Sequence, residues 1–208
     1  MKTAVDRLTP LGLMVLALLA EGDMHPYEMM RLMRGRRDDR LVSITNGTLY
    51  HTVGRLERAG LLAQVRTDRE GNRPERTTYT LTSDGADAVG AWVRRELRRT
   101  DRPAEFRIAL AEAHNIGRDE AIDLLRERRA GLQDQHALHS DGFRDALDRS
   151  VPEVYLLEVG REAVLLETEL RWLDALLARL EDHDFPWGAD ELGPSSETYL
   201  SERKAARL

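Results

Sequence analysis

The chain has 208 residues, 31 Lys+Arg against 37 Asp+Glu and no cysteine, so disulfides, thiolate metal sites and thiol nucleophiles are excluded. Aromatic residues are scarce (5%) and charged residues abundant (33%), the composition of a largely helical protein with chain enough for one large domain or two small ones. The net charge of −6 is unevenly divided: residues 1–85 hold 13 Lys+Arg against 11 Asp+Glu, and the remainder 18 against 26, which puts the positive field at the N-terminal end.

The run LGLMVLALLA, 11–20, is too short to span a bilayer and too poorly flanked to be a signal peptide. It reads as a buried first helix over about 9–21, capped by Thr9 with Pro10 in its first turn and stopped at Gly22. HPYEMMRLMRG, 25–35, gives a second helix with Tyr27, Met30 and Leu32 or Met33 inward. A third, about 45–59, begins at Ser43 or Thr45 and ends at Gly60. LLAQVRTD and RTTYTLTS form a hairpin around REGNRPE, and a fourth helix starts at Thr82 or Ser83 and carries Val89, Trp92, Val93 and Leu97.

The third helix contains two glycines, Gly47 and Gly54, each costing about 1 kcal/mol of helix stability relative to alanine. Leu49, Val53 and Leu56 make its apolar stripe, while Gly47, His51, Gly54, Arg55 and Arg58 gather opposite. A bare, cationic outer face suits close approach by a polyanion. Three helices followed by a basic hairpin is the order of a winged helix, so the expected fold is mainly α with a small β-hairpin: an N-terminal winged helix-turn-helix and a C-terminal helical dimerisation domain. Within it, the candidate DNA contacts are Thr45, Asn46, Thr48, Tyr50, His51 and Arg55 on the third helix and Arg66, Arg69, Arg73 and Arg76 on the wing. Arg55 and His51 are assigned to base edges, and Tyr50, Thr48 and the wing arginines to phosphates. Arg34, Arg36 and Arg37 are further candidates for backbone contact.

RRTDRP, 98–103, reads as a boundary between a DNA-binding domain, 1–99, and a helical domain, 104–183. Beyond it come a short amphipathic piece, a long helix over 118–148 and a last helix over about 153–182. Leu156, Val159, Ala163, Leu166, Leu170, Leu173, Leu177 and Leu180 step 3-4-3-4-3-4-3, a heptad seam expected to join two protomers. The tail 184–208 mixes Pro, Gly, Ser and charge, reads as loosely ordered, and leaves Trp187 exposed. In the helical half, Trp92, Trp172, His136 and His139 are candidates for contact with a small-molecule effector, against the plainer reading that the tryptophans fill cores and the histidines face an interface. His136 and His139, at i, i+3, lack soft ligands and a third partner, so no metal is assigned. No glycine-rich phosphate loop, dinucleotide fingerprint or nucleophile elbow is present, so no cofactor and no enzymatic activity are expected.

LTPLGLMVLALLAEGDMHPYEM, NGTLYHTVGRLERAGLL and TTYTLTSDG closely resemble the N-terminal domain of PadR-type transcriptional regulators. Gly47, Thr48, Leu49, Tyr50, Arg55, Leu56, Glu57, Gly60 and Leu61 match the family pattern one by one, and Tyr79, Leu81, Thr82 and Gly85 match the segment closing the wing. The resemblance covers about residues 1–90 and implies a homodimeric winged-helix repressor; the long C-terminal half is similar to the longer-tailed subgroup. His51 stands where the family often has proline, and Pro26 where it often has glycine. The expected partners are a pseudo-palindromic DNA operator, a second copy of the chain and a small-molecule effector, in the cytoplasm and without a membrane. A winged-helix adaptor that binds protein, and a histidine-based metal protein, are the alternatives.

Overall fold

A computed structural model describes residues 8–68, 76–182, 184–188 and 197–207. The chain order is α1 (Pro10–Ala20), α2 (Pro26–Gly35), a 3-10 turn (Asp38–Arg40), α3 (Asn46–Arg58), β1 (Leu62–Asp68), β2 (Arg76–Leu81), α4 (Ser83–Arg98), α5 (Pro103–Ala111), α6 (Arg118–Asp148), α7 (Leu157–Leu180) and α8 (Glu197–Arg207).

α1 is apolar all round because it is the central helix: every residue from Gly12 to Leu19 is buried. The Thr9 hydroxyl caps it by accepting from the Gly12 amide at 3.2 Å. α2 buries Met29, Met30, Leu32 and Met33. Tyr27, expected inward, is 44% exposed instead. It follows Pro26 in the first turn, where the His25 ring accepts from the Tyr27 amide. α3 ends in a Schellman motif, with Leu61 N–H donating to Leu56 O and Gly60 N–H to Glu57 O, and Gly60 takes φ +72°. β1 and β2 pair antiparallel with a bulge at Val65, between Gln64 and Arg66. Met24 pairs with Tyr79 and so ties the α1–α2 link to the wing. At the start of α4, Gly85 lies so close to the Leu61 backbone that a Cβ would stand 2.0 Å from the carbonyl oxygen.

The polar stretch 98–103 does not divide the core. Trp92, Val93 and Leu97 of α4 share one apolar cluster with Phe106, Ile108 and Ala109 of α5, Leu125 and Leu132 of α6 and Leu173 of α7. Arg128 crosses the same junction. It is 1% exposed, with its guanidinium 3.6 Å from the Phe106 ring centroid, and it donates to Glu169 and to the Arg99 carbonyl.

α6 and α7 form a long antiparallel hairpin. The heptad seam is buried inside it: Leu156, Leu166, Leu170, Leu173, Leu177 and Leu180 are buried within this one chain, with Val159 and Ala163 half-buried. The seam expected between protomers therefore packs within one. A heptad stripe records that a helix has a companion without saying which, and the turn at 149–156 brings α6 back as the nearest one.

The tail also differs from expectation. Trp187 is half-buried and donates its indole N–H to the Ile116 carbonyl at 2.9 Å, and Arg118 donates to the carbonyls of Asp182 and Phe185. Residues 197–207, expected to be loosely ordered, form α8 against α2. Arg203 there is buried, pairs with buried Glu28 at 2.9 Å and donates to the carbonyls of Asp23 and Glu21 at the end of α1.

Candidate nucleic-acid interface

Leu49, Thr52, Val53 and Leu56 anchor α3 in the core, which turns Gly47, His51 and Gly54 outward. A Cβ built on Gly47 or on Gly54 would meet nothing within 4 Å. Asn46 and His51 are exposed, as is Tyr50, whose ring lies edge-on to His25 with centroids 6.4 Å apart. Among the described residues, nothing fills the side of α3 assigned to a duplex at Gly47 and Gly54. No helix among the described residues is long and apolar enough to cross a membrane.

Three of the assigned side chains make hydrogen bonds within the chain. Thr45 and Thr48 form a capping box: Thr45 Oγ1 accepts from the Thr48 amide at 3.2 Å and Thr48 Oγ1 from the Thr45 amide at 3.0 Å. Their hydroxyls order the N-terminus of the helix, because the first-turn amides have no intrahelical acceptor. Arg55, assigned to base edges, is half-buried and leans toward α1, where its Nη2 donates to Thr9 Oγ1 at 2.7 Å. Arg58 stays on the exposed side and donates to the Gly54 carbonyl at 3.0 Å.

On the wing, Arg66 is exposed and Arg76 opens β2 opposite Asp68. Arg69 and Arg73 lie outside the described residues. Of the α2-end arginines, Arg36 is committed elsewhere: it makes a two-pronged pair with Glu21 and reaches Glu202 of α8, which holds its guanidinium firmly charged.

The residues proposed for an effector are not brought together. Trp92 is 1% exposed and fills the core. His136 bonds the Ser140 hydroxyl and His139 the Gln135 carbonyl, each within α6. Trp172 is 44% exposed and meets Phe106 edge-on. A separate open groove of about 820 Å³ lies where α6 ends and α7 begins, lined by Phe143, Leu147, Leu156, Leu157, Val164 and Leu165 among others. Sequence reasoning missed this groove. Its one local signal was Gly160, whose absent Cβ would stand 3.0 Å from the Phe143 ring.

An open helix face beside a hairpin on a three-helix core is the arrangement of a winged helix, the class of fold that sets one helix against a DNA groove. Residues 15–91 match the model of the transcriptional regulator PadR-like family. No curated protein matches the chain. Similar solved structures include Bacillus subtilis PadR in complex with operator DNA, at 20% identity over 82% of this chain and 98% of that one, with a TM-score of 0.39. Streptococcus mutans smu.1604c follows at 15% identity over 80% and 98%, TM-score 0.38. Bacillus subtilis PadR in complex with p-coumaric acid is 18% identical over 84% and 100%, TM-score 0.37.

Proposed function

We propose that this DNA-binding regulator is a cytoplasmic homodimeric repressor acting on a pseudo-palindromic operator. The observation that carries the proposal is the unfilled face of α3 around Gly47, His51 and Gly54. Two such faces in a symmetric dimer address half-sites about 34 Å apart, one helical turn of duplex.

With the heptad seam buried within each chain, the surface left for a second copy is the outward side of the α7 start. Val154, Tyr155, Leu157, Val164 and Leu165 are all at least 45% exposed there, and they adjoin the groove between α6 and α7. A symmetric partner covers this apolar stripe with the same residues of its own. A small molecule that changed the angle between the two helical hairpins would alter the half-site spacing. A coupling of about 1–3 kcal/mol is enough for such a switch.

Selection from a random duplex pool at physiological salt, with light scattering to give the mass of free and bound protein, tests the reading. A two-fold symmetric site and a dimer mass in both states are the expected results. A monomer mass on a single half-site removes the dimer, and no enriched sequence removes the operator.

A further inference from the structure

Arg55 stands apart from most arginines of this protein in what holds it. Arg36, Arg94, Arg126, Arg128, Arg129 and Arg203 each face a carboxylate. Arg55 faces only the neutral hydroxyl of Thr9, at 2.7 Å, and no ion pair with it occurs among the described residues. Its charge is therefore held in place without being neutralised. The Thr9 bond uses one Nη2 hydrogen, no other bond of this guanidinium occurs among the described residues, and a planar donor fork of that kind matches a phosphate.

The hydroxyl that holds it is itself fixed. Thr9 Oγ1 also accepts from the Gly12 amide as the cap of α1. Two accepted hydrogen bonds use both lone pairs of a hydroxyl oxygen, so its own O–H points away from them. Gly12 makes this arrangement possible. A Cβ there would lie 3.1 Å from Leu8 Cδ1, 3.2 Å from Thr9 Oγ1 and 3.6 Å from Leu56 Cδ2, so the glycine lets the start of α1 close against α3. Arg55 also sits in the third turn of α3, about 13 Å along the axis from Asn46. It is turned toward α1 rather than along the outward line of Gly47, His51 and Gly54.

We infer that Thr9 is a positioning residue for Arg55, and that the pair grips a phosphate of the DNA backbone instead of reading a base. This inference rests on the DNA-binding reading above and assigns a task within it: Arg55 fixes the register of α3 on the duplex, and His51 and its neighbours are left to face the bases.

The test uses the 208-residue chain, the selected duplex and a random duplex of equal length, each titrated over a range of salt concentrations. Arg55→Ala is expected to weaken both duplexes about tenfold and to reduce the salt slope by about one, leaving the preference between them unchanged. Thr9→Ala is expected to weaken both severalfold, Thr9→Ser to restore binding, and Thr9→Ala to add nothing in the Arg55→Ala background. Circular dichroism melts of each variant separate these effects from loss of the α1 cap. Two results overturn the inference: an Arg55→Ala loss confined to the selected duplex, which makes Arg55 a base reader, or a Thr9→Ala loss of equal size with and without Arg55, which makes Thr9 a cap only. Failure of the wild-type protein to bind either duplex strikes instead at the DNA-binding reading.

Discussion

On α6 and α7, arginines meet acids: Arg126 bonds Asp123 and Glu181, Arg128 bonds Glu169, and Arg129 bonds Asp174. On α3, among the described residues, the two arginines meet neutral oxygens, the Thr9 hydroxyl and the Gly54 carbonyl. The residue type is the same and the task is different. On α6 these three cations are matched by acids, and the pairs with Glu169, Asp174 and Glu181 hold the hairpin to itself. On α3 the two charges are not met by acids among the described residues, and a polyanion is what they match. Glycine divides in the same way. Gly85 is pressed against backbone within the fold, whereas Gly47 and Gly54 face open space.

The strongest way to break this contrast is to exchange the roles of two apolar surfaces. Leu173→Ala, at a fully buried seam position, is expected to lower stability by about 3–4 kcal/mol in a denaturant titration. Val164→Asp, on the outward side, should leave the melting of the single chain nearly unchanged and instead shift the mass in light scattering from dimer to monomer. If Leu173→Ala dissociates the dimer without destabilising the chain, the seam faces outward after all.

Next in size is Arg128→Met. It strands the Glu169 carboxylate and the Arg99 carbonyl at the α4–α6 junction, with an expected loss of about 3 kcal/mol in the same titration. Because Glu169 is partly exposed, water relieves some of that loss.

A smaller effect comes from Glu112, which lies between the two regions. Burial pushes its carboxyl up to about 7; Asp38 and Glu21 add to this, while the Asn115 amide and Arg36 oppose it. An acid whose folded value is raised favours the folded state while protonated, so its contribution is full below pH 4.5 and is lost as pH rises to about 7. Glu112→Gln should remove about 2 kcal/mol of that pH dependence, seen as converging denaturation midpoints for wild type and variant at pH 4.5 and diverging ones at pH 8. Parallel curves would mean that the carboxyl is freely hydrated.

The smallest change in stability has the most telling sign. Gly54→Ala should raise the melting temperature, by up to about 1 kcal/mol of added helix stability, because nothing among the described residues opposes the new methyl. The same variant should bind DNA less well. A gain in stability with unchanged binding would show that the duplex does not approach that position.

Much of this was legible along the chain. The order of the elements through α7, the cap at Thr9 and the terminator at Gly60 follow from signals within a few residues of one another, as does the open side opposite Leu49, Val53 and Leu56; of the paired cap candidates, Thr45 and Thr82 are the ones used. The misreadings share one cause. Helical position alone places Arg55 on the outer side of α3, but its direction depends on Thr9, 46 positions away. The tail was read as loose from composition, but one buried pair, Arg203 with Glu28, joins positions 175 apart.

Local backbone chemistry and periodicity thus determined which segments are helices and which side of each is apolar. Only the tertiary structure decided which surfaces meet: that the leucine seam faces α6, that Trp92 is core, that α8 sits on α2 and that Arg55 leans on α1. A heptad stripe or a lone arginine specifies a kind of partner, apolar or electron-rich. Which partner it finds is settled by chain geometry over long sequence separations, to which a pattern of neighbouring residues is blind.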